Sequence, residues 1–158
     1  MKRWIILAGI GAYLAGMGAK GMPATSIDAV EAVRGWLRTH EEPLGEKLSA
    51  TIGGVETEEN EFGMVLFHVV SLEPEGFVIC SADTAIEPIL VFSATGQYDG
   101  DGNNPLVALI RRDAQGRLER AKTASAKAKN EVSARSASKW DVLRNSPGKP
   151  SGKRGSGL

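Results

Sequence analysis

Three apolar runs crowd into the middle of this chain, at residues 62–72, 77–81 and 89–93, and their spacing constrains the fold more than any other feature. The first, FGMVLFHVVSL, combines β-branched and aromatic side chains over a length that suits a strand buried on one face and partly covered on the other. Glu73, Pro74, Glu75 and Gly76 follow, with proline second and glycine fourth as a type I turn prefers, which predicts a hairpin into the strand at 77–81. ADTAIEP carries the chain to a third strand at 89–93, and ATGQYDGDGNN is a loop rich in residues able to turn sharply. Phe77 and Phe92 lie inside these strands and are the expected core anchors.

Helical patterns flank this unit. In TSIDAVEAVRGWLRTH, Thr25 and Asp28 stand at capping-box spacing, and Ile27, Val30, Val33 and Leu37 recur at three and four, with Trp36 widening the stripe. Pro43 and Gly45 interrupt that pattern, and a polar, acidic stretch with one short strand near residues 51–55 leads to Glu61. On the far side Asn104 is placed to cap a second helix with Pro105 in its first position, and Leu106, Leu109 and Ile110 supply an apolar face. RLERAKTASAKAKNEVSARSASKW then offers almost no apolar stripe, so residues 119–158 read as a basic flexible tail or linker, disordered or loosely helical. The core is therefore expected within residues 25–118, independent of that tail.

Charge divides the chain in the same places: residues 1–24 carry +3, residues 25–118 carry −10 and residues 119–158 carry +7. Lys2 and Arg3 precede an apolar run over residues 4–18 that falls short of a membrane span, so residues 1–24 read as a signal peptide. Gly18 and Ala24 both offer a small residue at the cut, and neither has an Ala-x-Ala frame. The mature chain then begins near residue 25 and is secreted or periplasmic, with no stable membrane insertion after cleavage.

No constellation of catalytic type emerges. Cys80 is the single cysteine, flanked by Val78 and Ile79 in a strand, and reads as a small buried core residue. His40 ends a helix and His68 lies in the longest strand, neither with partners at metal-ligand spacing, so both read as structural histidines. Asp83 and the run Glu56, Glu58, Glu59 and Glu61 lack the alternation and glycine of a calcium loop, and the run reads as a solvated acidic loop. The glycine-rich segments precede no lysine-bearing helix start, and the tail has Trp140 as its lone aromatic, so neither a phosphate loop nor a nucleic-acid surface is expected. The chain is expected to be no enzyme by itself and to need neither cofactor nor metal.

GFVICSADTAIEPILVFSATGQYDGDG resembles the propeptide of streptopain-like cysteine peptidases and the related Spi protease inhibitors, in which a Gly-Phe-Val-Ile strand, a small-residue-plus-Asp turn and a Pro/Ile/Leu strand run in that order. AVEAVRGWL and NPLVALIRR extend the resemblance over about residues 25–118. It implies an α+β fold, a small antiparallel sheet packed against helices, that masks a streptopain-like cysteine peptidase and helps it fold. It also implies that Cys80, a propeptide-strand residue, is not the family's nucleophile. Three readings stay open: a free-standing inhibitor, the front of a truncated peptidase precursor whose linker is the basic tail, and a secreted binding module with another ligand. The loop at 95–104 is the candidate peptidase contact, through Gln97, Tyr98, Asn103 and Asn104, because its glycines let backbone approach a cleft closely.

Overall fold

A computed structural model describes residues 21–40, 42–124 and 126–146. Most of the expected signal peptide, residues 1–20, and the end of the tail from residue 147 lie outside the described residues. The elements run α1 (Ser26–Thr39), β1 (Thr51–Glu59), β2 (Val65–Glu73), β3 (Phe77–Ser81), β4 (Ile89–Ser93), α2 (Pro105–Thr123) and α3 (Ala126–Arg144), with a short 3-10 turn at Pro43–Gly45. The four strands form one antiparallel sheet in sequence order, so the fold is α+β. Register pairs Val70 with Val55 and Val78, and irregularities between Ile52 and Gly54 and between Glu58 and Glu59 offset β1 against β2.

Strand alternation sends side chains to two cores. Val70, Leu72, Val78 and Cys80 face one way and meet Ala29, Ala32, Val33, Trp36 and Leu37 of α1 together with Trp140 and Leu143 of α3. Phe67, Val69, Phe77 and Ile79 face the other way and meet Ile110, Ala114 and Leu118 of α2. Helices thus cover both sheet faces, which is why β2 and β3 are apolar almost without interruption.

The capping box of α1 is present, with Thr25 Oγ1 accepting from the Asp28 N–H at 3.2 Å and the Asp28 carboxylate accepting from the Thr25 N–H at 2.9 Å. Asn104 caps α2 through its side-chain oxygen, and Pro105 takes the first position. Other expectations shift. Ile27 is 70% exposed, because the buried face of α1 runs through its alanines to Trp36 rather than through Ile27. Leu106 and Leu109 are 55% and 62% exposed, because α2 buries Val107, Ile110, Ala114 and Leu118 instead. β1 is nine residues long and contains most of the acidic run, which therefore lies on a strand and not in a loop. The turn after β2 is not a hydrogen-bonded type I turn: the Glu73–Pro74 peptide is cis, and the Gly76 N–H donates to the Gly96 carbonyl at 2.7 Å.

The largest departure is α3. Of the two forms expected for the tail, residues 126–144 take the helical one, and they are packed where a linker with little to bury was expected. Trp140 is fully buried, and its indole N–H donates to the Ile86 carbonyl at 3.0 Å. Ser133 and Ser136 are buried beside it and Leu143 beyond it, so the stripe facing the domain joins small residues to one tryptophan and one leucine. Lys139 pairs with Glu87 at 2.7 Å, and Arg144 bridges Asp28 at 2.7 Å and Asp141 at 2.8 Å. Partial burial raises the Asp28 pKa, but its bonds to Thr25 and Arg144 outweigh that and hold it below the usual carboxylate range. The stability gained from its ionised form is thus present at neutral pH and fades as pH falls through that lowered value.

Candidate functional site

The loop between β4 and α2 is braced at each end and in its middle. Gly76 has φ 99°, and a Cβ there would lie 2.8 Å from the Ser93 carbonyl oxygen, so only glycine lets the β2–β3 connection close against the loop's start. The Gly96 N–H donates to the Glu75 carboxylate at 3.2 Å from the same side. Tyr98 turns its ring inward, edge-on to Phe67 at 6.2 Å and to Phe77 at 5.8 Å between centroids. Its hydroxyl is buried without a hydrogen-bond partner, and burial, followed by the nearby Glu58 carboxylate, raises its pKa.

Arg111 on α2 ties the second half of the loop down. Its Nη2 donates to Glu58 Oε2 at 2.7 Å and to the Gly100 carbonyl at 3.0 Å, so β1, the loop and α2 meet at one guanidinium. The hydrogen bond to Glu58 raises the Arg111 pKa further. Beyond Gly100 the Asp101 carboxylate accepts from the Asn103 N–H at 3.0 Å and from the Asn103 side-chain amide at 3.1 Å.

The four expected contact residues therefore divide. Gln97 and Asn103 are exposed, Tyr98 is half-buried against the core, and Asn104 spends its side chain on capping α2. Sequence reasoning missed Arg111 and Glu58, which are 53 positions apart with no local pattern connecting them. It also missed the outward Leu106 and Leu109, which continue the loop's surface onto α2.

Sheet register raises a chemical question, because it sets His68 opposite Cys80 on adjacent strands. A cysteine beside a histidine is the start of a nucleophilic pair. Here both ring nitrogens of His68 are taken, Nδ1 by the Thr57 hydroxyl at 3.0 Å and Nε2 by the Ala24 carbonyl at 2.8 Å. Cys80 is fully buried, and that burial pushes its thiol well above the ordinary range, so the reactive thiolate is suppressed. Both residues are thus structural, as their sequence context predicts. Among the described residues no cluster of His, Cys, Asp or Glu could hold a metal ion, and no helix is long and apolar enough to cross a membrane.

A four-stranded antiparallel sheet covered by helices on both faces defines the class: a small α+β domain. The chain belongs to the Spi protease inhibitor family, whose model matches residues 22–117. The domain is therefore of the protease-inhibitor or propeptide type, and the family implies interaction with a cysteine peptidase. No curated protein and no solved structure matches the chain.

Proposed function

We propose that this protein is exported and inhibits a streptopain-like cysteine peptidase in trans, meeting it with the 95–104 loop and with Leu106 and Leu109. Family membership over residues 22–117 is the observation that carries this reading. The bracing of the loop by Gly76, Tyr98 and Arg111 supports it, because a loop ordered before binding loses little entropy on contact. α3 favours action in trans over a propeptide that depends on a following catalytic domain. It lies beyond the family-matched residues and folds back onto α1, closing the domain on itself. A free inhibitor lacks the local concentration that a tether supplies and must replace it with contact area, on the order of 1,600 Å² in total.

The test is a titration of the purified exported chain against a streptopain-like peptidase and a papain-like one. Stoichiometric loss of the first activity, with no peptide hydrolysis by the chain itself, is expected; full activity at saturating chain would reject the proposal. Replacing Gln97 and Asn103 together by alanine is expected to weaken inhibition about tenfold, or ~1.4 kcal/mol, with an unchanged unfolding midpoint. Asn104→Ala behaves differently, since losing the cap costs about 1 kcal/mol of stability. Inhibition undiminished in the Gln97/Asn103 variant would remove the loop from the contact.

A further inference from the structure

Order in this domain begins before α1. Ala24 is buried, and its N–H donates to the Ala82 carbonyl at 2.9 Å. The Thr84 N–H donates to the Met22 carbonyl at 2.9 Å, and the Met22 N–H donates to Thr84 Oγ1 at 2.9 Å. Pro23 and Asp83 form an antiparallel bridge, so residues 22–24 run extended beside the β3–β4 connection. Packing is close even at Gly21, where an added Cβ would lie 2.5 Å from that of Ala85. The Ala24 carbonyl is also what His68 Nε2 bonds, and His68 is only 3% exposed.

We propose that the export leader is cut after Gly18, so that residues 22–24 stay with the mature domain. The inference rests on reading the start of the chain as an export leader and is independent of what the domain inhibits. By sequence alone Gly18 and Ala24 are both candidates for the cut. A cut after Ala24 removes the acceptor from His68, leaving a buried N–H without a partner, and removes the bonds to Ala82 and Thr84 with it. A cut after Gly18 breaks none of them. It also places Gly16 and Gly18 at the third and first positions before the bond, a small-x-small frame that Met22-Pro23-Ala24 lacks.

Intact-mass measurement on the full chain, carrying a C-terminal tag and recovered from the periplasm or medium of an exporting bacterial host, tests this. The expected mass is that of a chain starting at Ala19. A start at Pro23 or beyond overturns the retention of residues 22–24, and an uncut chain overturns the leader itself. A start at Lys20, Gly21 or Met22 overturns Gly18 as the cut while upholding retention. As a second measurement, a chain starting at Thr25 should melt at least ~5 °C below one starting at Ala19 or fail to fold. Equal melting temperatures would show that residues 22–24 add nothing to the domain and overturn the argument from structure.

Discussion

Replacing Gly35 by alanine is expected to destabilise this protein, although alanine is ordinarily the better helix former in a helix interior by about 1 kcal/mol. Gly35 lies in α1 where α3 crosses it. A Cβ there would lie 2.7 Å from the Leu143 carbonyl carbon and closer still to its oxygen. Backbone is the obstacle, so no rotamer change relieves the contact and α3 must move. Moving it strains Trp140, whose indole is fully buried and bonded to Ile86, and the Arg144–Asp28 pair. Overpacking of this kind costs about 1–3 kcal/mol, which outweighs the propensity gain. Trp140→Ala alone should cost about 3–5 kcal/mol, a large share of the stability of a small domain. The sharper expectation is their coupling: in the Trp140→Ala background, with α3 already loosened, Gly35→Ala should cost far less than in the unaltered chain. Urea unfolding of the four proteins measures it, and strictly additive costs would mean that α3 does not press on Gly35.

Legibility in the sequence followed the range of the interactions. Both helix N-termini could be read because Thr25–Asp28 and Asn104–Leu106 are contacts over two or three residues. The strands at 77–81 and 89–93 could be read because each is a short apolar run between turn residues. The stripes were harder. In α1 the expected Val33, Trp36 and Leu37 are buried, but Ala29 and Ala32 fill the face where Ile27 was expected, because an alanine Cβ in close contact gives no large apolar signal. α3 was illegible because Ser133 and Ser136 are polar by type yet buried, and only Trp140 and Leu143 add large apolar side chains to its packed face. At the loop, glycines and asparagines announced a turn, but nothing in the string shows that Arg111 holds Gly100 or that Tyr98 faces inward. Those facts depend on how β1 and α2 come together, which only the fold specifies.

Phe77 and Phe92 look equivalent in the sequence, and their alanine variants should separate. Phe77 is 8% exposed, lies in the core under α2 and supports the Tyr98 ring at 5.8 Å between centroids. Phe92 is half-buried on the opposite face, tilted against Trp36 at 5.2 Å. There it lines a groove of about 510 Å³ with His40 and Val142, so part of its ring already meets solvent. Phe77→Ala is therefore expected to cost about 3–5 kcal/mol, and Phe92→Ala roughly half that, because the second removes less buried surface and leaves a gap open to water. The functional consequence should be unequal as well. Without Phe77 the Tyr98 ring loses one of the two aromatic surfaces that hold the loop's middle, so inhibition should fall even under conditions where the variant remains folded. Phe92 touches no part of that loop among the described contacts, and its variant should inhibit normally once folded. Denaturant midpoints and inhibition titrations on the same two preparations decide the matter. Equal midpoints would place both rings in comparable environments against the packing described, and lost inhibition in a stable Phe92→Ala variant would move the proposed peptidase contact from the loop to the groove beside β4.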